Sequence, residues 1–179
     1  SFINRSVMGN RLLRDCSPIF PARNLYGIRA TERAKEDVYP YNDMSHVILF
    51  MGVNDIFEYA SINAFPWEKP DTDKMFDAIC EITERIKKKG VKVIMFNIPA
   101  FGLAPDSTRE KDRLRRIVNT RLSENADILF DGFYDVASAA ADPDDDYYSR
   151  KEFIGGDKLH PNAYGGEYLS GLVDMEMFR

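Results

Sequence analysis

The sequence predicts an α/β fold built on a doubly wound parallel sheet, and three observations carry that expectation. Two short apolar runs, 46–51 "HVILFM" and 91–97 "VKVIMFN", have the composition of strands buried on both faces, as in a parallel sheet. A helical pattern separates them, with Phe76, Ile79, Cys80, Thr83 and Ile86 at helical spacing. A second helical pattern follows, and strands alternating with helices at this spacing imply βαβ units.

The elements follow in chain order. Residues 1–9, "SFINRSVMG", read as a strand ending at Gly9, and a helix is expected over about 31–39. The strand 46–51 ends at Gly52. Asp71 to Asp73 can cap the next helix and Gly90 can end it. After the strand 91–97 comes "DSTREKDRLRRIVNTRL", where Ser107 and Glu110 form a capping box and Leu114, Ile117, Val118 and Leu122 an apolar stripe. A third strand falls within "DILFDGFYDV". A final helix is expected from Pro161 to about Met177, with Pro161 in its first turn.

At 179 residues the chain fits one domain, 1–179, and its 44% hydrophobic fraction is enough for a core. A net charge of −5 argues against a nucleic-acid surface, which normally carries a basic stripe. The Lys87–Lys89 run reads as a solvated helix end, where cations suit the dipole. No apolar run approaches the ~20 residues of a membrane span. No signal peptide is visible in a chain that opens on Ser1. Cys16 and Cys80 have neither CxxC nor metal spacing, and Cys80 reads as a buried packing residue.

Sites in doubly wound sheets form at the carboxyl ends of strands, where Gly9, Gly52–Asp55 and Pro99–Gly102 are expected. In "GVND", Gly52 lets backbone approach a ligand, the Asn54 amide can donate to developing negative charge, and Asp55 braces the loop. In "NRSVMGNRLLRD" the Gly9 N–H is free to donate. In "GGDKLHPNAYG", Asp157 stands three residues before His160. That spacing on a tight loop lets the carboxylate accept from one ring nitrogen and leaves the other to take a proton.

These stretches together resemble the SGNH hydrolases, the GDSL-type esterases and lipases. "NRSVMGNRLLRD" resembles the family block whose Gly supplies a backbone N–H to the oxyanion hole. "GVND" resembles the block whose Asn supplies a side-chain amide, and "DKLHP" the block with the catalytic Asp and His. The resemblance implies a flavodoxin-like three-layer α/β/α sandwich with a parallel sheet. It also implies Asp157 and His160 as catalytic residues, Gly9 and Asn54 as oxyanion donors, and Gly52 and Asp55 in the site loop. The implied activity is hydrolysis of small-molecule or carbohydrate esters with no metal or cofactor. The contrasting expectation is an inactive relative that keeps the pocket and binds a carbohydrate or acyl ligand.

The family's first block, Gly-Asp-Ser-Leu or a variant, does not occur in the sequence. The nucleophilic serine and the family's first, central strand are therefore expected upstream of Ser1, and the chain by itself is expected to be inactive. Ser6 is not placed at a strand-to-helix turn; Ser17, Ser107 and Ser138 read as a loop residue, a helix cap and a small packing residue. His46 opens a strand and reads as structural. Asp142, Asp144 and Asp146 alternate as in an EF-hand loop, but the sixth position is Tyr147 and the twelfth Phe153, so the segment reads as a solvated acidic loop. Tyr59, Phe65 and Trp67 either line a pocket or pack their loop.

Overall fold

The computed structural model describes residues 2–16, 26–41, 43–61 and 64–178. Among them the sheet has three parallel strands in the order β1-β2-β3: β1 His46–Leu49, β2 Lys92–Phe96 and β3 Gly132–Tyr134. Val47 pairs with Val93, and Met95 with Phe133. Side chains alternate across this ladder. Val47, Leu49, Val93 and Met95 enter the main core, while His46, Ile48, Ile94, Phe96 and Tyr134 face the other way.

The helices are α1 Ala30–Asp37, α2 Val53–Phe57, α3 Thr72–Lys87, α4 Arg109–Glu124, α5 Ala126–Leu129, α6 Val136–Ala140 and α7 Ala163–Ser170. Helix α3 starts where Asp71 accepts from the N–H groups of Asp73 and Lys74, satisfying donors that an uncapped helix leaves open. Its buried stripe is Met75, Ala78, Ile79, Ile82, Thr83 and Ile86. Phe76 and Cys80 flank that stripe half-buried, so the packing face is turned by one residue from the expected one.

Helix α4 corrects two expectations. Its cap is Thr108, whose hydroxyl accepts from Lys111 N–H; the Ser107 hydroxyl instead donates to Gly102 O and bonds Tyr147 Oη. Its buried face runs through Lys111, Asp112, Leu114, Arg115, Val118, Asn119 and Leu122, leaving Ile117 on the exposed flank. Asn119 earns that buried place by bonding both Ile98 N–H and Ile98 O, which fixes the chain leaving β2.

The expected final helix is shorter. Asn162 caps α7 by accepting from Gly165 N–H, and Pro161 lies before the cap, bridged to Ile154. Beyond Gly171 a 3-10 turn, Met175–Phe178, folds back onto the sheet. Met177 lies over Gly132, where an added Cβ would approach its Cε to 2.4 Å, and Phe178 packs on the His46 ring.

The expected strand over 1–9 is not formed. Residues 2–7 are irregular, and Phe2, Ile3 and Met8 are exposed. A strand is stabilised by a neighbour's ladder, and β1 pairs only with β2 among the described residues. Across the second sheet face a row of rings, Phe50, Phe96 and Tyr134, stands edge to tilt, with Ile48 and Phe50 41% and 54% exposed.

Candidate active site

Gly52 leaves β1 in the left-handed region at φ 98°, and an added Cβ would press on Met75 and Ile98 at 3.2 and 3.3 Å. Both strain and crowding require glycine here. The turn starts α2 at once and aims Asn54 and Asp55 at the segment 9–13. Asn54 Nδ2 donates to Asn10 O at 3.0 Å. Asp55 accepts Leu12 N–H at 2.6 Å and Leu13 N–H at 2.9 Å, one on each carboxylate oxygen. Burial pushes the Asp55 carboxyl up to about 6, against the opposing pull of those two N–H groups and of Arg11.

Gly9 therefore belongs to a turn and not to a strand end, with Asn10 N–H donating to Val7 O. Its φ is 69°, and a Cβ there would sit 2.4 Å from the Tyr26 ring. Asn10 spends its own amide on Tyr26 O and Ile28 O, both at 2.7 Å. Arg11 pairs with Glu68, and its guanidinium also donates to Asp15 O. Asn10, Tyr26 and the Arg11–Glu68 pair were not singled out by the sequence. Only the position of Asn10 beside Gly9 gave a signal for any of them.

Asp157 and His160 meet as their spacing predicts. Asp157 Oδ2 lies 2.6 Å from His160 Nδ1, and Oδ1 accepts the N–H groups of Leu159 and His160 at 3.0 Å each. Those bonds, Leu159 N–H foremost and then the imidazole, hold the Asp157 carboxyl down at about 2. Gly155 N–H donates to His160 O and Lys158 N–H to Gly155 O, closing a loop in which Lys158 takes φ 63°. With Nδ1 facing the carboxylate, Nε2 carries no hydrogen bond among the described residues, and the His160 side chain is 63% exposed.

The structure thus brings together two groups, Gly9 with Asn54 and Asp55, and Asp157 with His160. No hydrogen bond joins one group to the other among the described residues. Each is tied to the carboxyl side of the sheet: α2 follows β1 directly, and the Ser149 hydroxyl donates to Ala100 O beyond β2, a few residues before the histidine loop.

Other candidates resolve as structural. Ser6 N–H bonds Asn4, and Ser138 donates to Asp135 at the start of α6. Ser1 and Ser17 lie outside the described residues. His46 Nδ1 bonds the Ser45 hydroxyl. Tyr59 is buried, whereas Trp67 is 73% exposed and stacks on Phe65 at 4.3 Å. The acidic loop is solvated, with Asp144 and Asp146 exposed, and surface ion pairs also tie it down. Asp145 pairs with Arg109, Asp146 pairs bidentately with Arg116, and the Arg109 guanidinium lies 3.9 Å from the Tyr147 ring centre. No group of three or more His, Cys, Asp or Glu side chains able to hold a metal ion occurs among the described residues. No described helix is long and apolar enough to cross a membrane.

A small parallel sheet with helices packed around it defines the class, an α/β protein of the SGNH hydrolase fold, with the candidate residues on turns, loops and helix α2 outside its strands. The family model described as GDSL-like Lipase/Acylhydrolase family matches residues 1–167, and the chain belongs to that family. Similar solved structures include a putative acylhydrolase from Bacteroides fragilis, with TM-score 0.59 and 19% identity, covering 79% of this chain and 64% of that one. A GDSL-like lipase from Bacteroides thetaiotaomicron has TM-score 0.59 and 18% identity, covering 79% and 65%. Axe2, an acetylxylan esterase from Geobacillus stearothermophilus, has TM-score 0.57 and 17% identity, covering 91% and 65%. At these identities the likeness is one of fold. The chain thus spans just under two thirds of the length of each of these three proteins. No curated protein matches the chain in a sequence search.

Proposed function

We propose that this chain forms the acid–base and oxyanion-binding parts of a carboxylic ester hydrolase acting on short-chain acyl or acetylated carbohydrate esters. The observation that carries the reading is the Asp157–His160 pair, with the carboxylate on Nδ1 and an exposed imidazole. A serine hydroxyl from outside residues 1–179 attacks the ester carbonyl as His160 Nε2 takes its proton. The same nitrogen then returns the proton to the leaving alcohol, and a water repeats the cycle on the acyl-serine. Asp157 holds the imidazole in one tautomer and stabilises its charged form. An amide nitrogen carries two protons, so Asn54 can keep Asn10 O and still donate, with Gly9 N–H, to the oxyanion.

Two features support a strand bearing the serine beside β1. The outer edge of β1 has no strand partner among the described residues, and Ile48 and Phe50 next to it are exposed. The test is hydrolysis of p-nitrophenyl acetate and of acetylated xylo-oligosaccharides by the full-length protein. His160→Ala is expected to lower kcat/KM by roughly 1,000-fold or more, and residues 1–179 alone should not turn over. Activity that survives His160→Ala, or robust turnover by residues 1–179, overturns the assignment. Saturable sugar binding without hydrolysis would favour a binding module.

A further inference from the structure

The geometry points to Asp55 as a positioning residue that sets where the Gly9 N–H stands relative to the Asn54 amide. The inference rests on the ester-hydrolase reading of those two donors. Asp55 does not face the reacting atoms. It is buried, and each of its oxygens takes one of two consecutive backbone N–H groups, Leu12 at 2.6 Å and Leu13 at 2.9 Å. Its neighbour Asn54 holds Asn10 O at 3.0 Å, so adjacent residues of α2 grip the turn 9–13 at three points. From its other side the turn is fastened through the Asn10 amide to Tyr26 O and Ile28 O. Gly9 is the residue just before this gripped stretch. Its N–H direction is therefore set by the registration of the turn on α2, and Asp55 supplies two of the three bonds that fix it.

A carboxylate suits this work better than its isosteres. Leu12 and Leu13 both present donors, and a carboxylate offers acceptors only. An asparagine in its place would turn an NH2 group toward one of those N–H groups. Ionising a group this buried costs free energy, and the observed arrangement accepts that cost with Arg11 as the one cation facing it from the turn. Arg11 is itself engaged with Glu68 and Asp15 O.

Protonation is the natural equivalent of the Asp55→Asn substitution. The folded-state value is raised, so uptake of the proton as pH falls through about 6 relieves the burial cost and favours the folded chain. One oxygen then becomes a hydroxyl, a weaker acceptor whose proton crowds the facing backbone N–H. The turn loosens while the fold stays intact.

The experiment follows the backbone amides of Gly9, Leu12 and Leu13 and the side-chain amide of Asn54 by NMR in the full-length protein, from pH 8 to pH 5. The expected result is a common transition in all four signals, absent in Asp55→Asn, whose Gly9 signal already sits near its low-pH position. In steady-state kinetics Asp55→Asn is expected to lower kcat roughly 10- to 100-fold, with KM within about twofold. If Leu12 and Leu13 titrate while Gly9 and Asn54 do not move, Asp55 merely packs the turn and the inference is overturned. It is equally overturned if Asp55→Asn keeps the wild-type kcat. A wild-type protein with no esterase activity would remove the ester-hydrolase reading alone, because the amide titration still decides whether Asp55 sets the turn. Should Asp55→Asn fail to fold, the wild-type titration decides by itself.

Discussion

The histidine loop and the glycine turn serve one proposed reaction but are built in opposite ways. The Asp157–His160 contact spans three residues, and the bonds closing the loop run no farther than from Glu152 to Asn162. The turn at Gly9 is held by residues 42 to 44 positions away on α2, and by Glu68 beyond them. A local device carries its geometry in its own few residues, whereas a non-local one inherits it from the packing of the whole domain. Substitutions in the loop should therefore change chemistry with little effect on stability, and substitutions in the turn should change both.

The largest expected effect lies in the loop. Asp157→Asn in the full-length protein should lower kcat by roughly 1,000- to 10,000-fold, because the amide neither fixes the tautomer nor balances the imidazolium. Its thermal midpoint should stay within a few degrees of wild type, since both side chains are exposed. A drop in midpoint as large as that of a core variant would break the contrast. Because its folded-state value is lowered to about 2, the Asp157 contribution to stability is present above ~3.8 and lost as pH falls through about 2. Carboxyl carbon shifts should show Asp157 still ionised at pH 3.

Gly9→Ala should show the non-local signature. The left-handed backbone and the Tyr26 ring 2.4 Å from the added Cβ should together cost roughly 2 kcal/mol in denaturant unfolding. Esterase activity should fall with it. Lost activity at unchanged stability would place Gly9 among local devices and sink the comparison. The smallest effect sharpens the same point: Lys158→Gly should be neutral or stabilise by about 0.5 kcal/mol, because glycine relieves the φ of 63°. At an ordinary exposed position the same change costs stability.

The same division decides what could be read from the sequence. The loop pairing was legible, since Asp-x-x-His between glycines contains both partners. The strands β1 and β2 were legible as apolar runs, and α3 and α4 as helical periodicities, with the α3 cap at Asp71 as expected and the α4 cap and the α3 stripe each shifted by a residue. Ser107 could not be told from Thr108 as the cap, because the choice depends on Gly102 and Tyr147 arriving nearby. The strand over 1–9 was misread because composition reports how well a segment suits a sheet, not whether a neighbouring strand is there to pair with it. Asp55 was legible as a brace, but its partners Leu12 and Leu13 were not, since nothing in "GVND" points back 42 residues.

The outer edge of β1, without a strand partner among the described residues and flanked by the exposed Ile48 and Phe50, also governs how residues 1–179 behave in a tube. An open parallel edge next to exposed aromatic surface is a template for self-association. Preparations of residues 1–179 should become turbid with rising concentration and ionic strength, and Ile48→Lys should keep them clear.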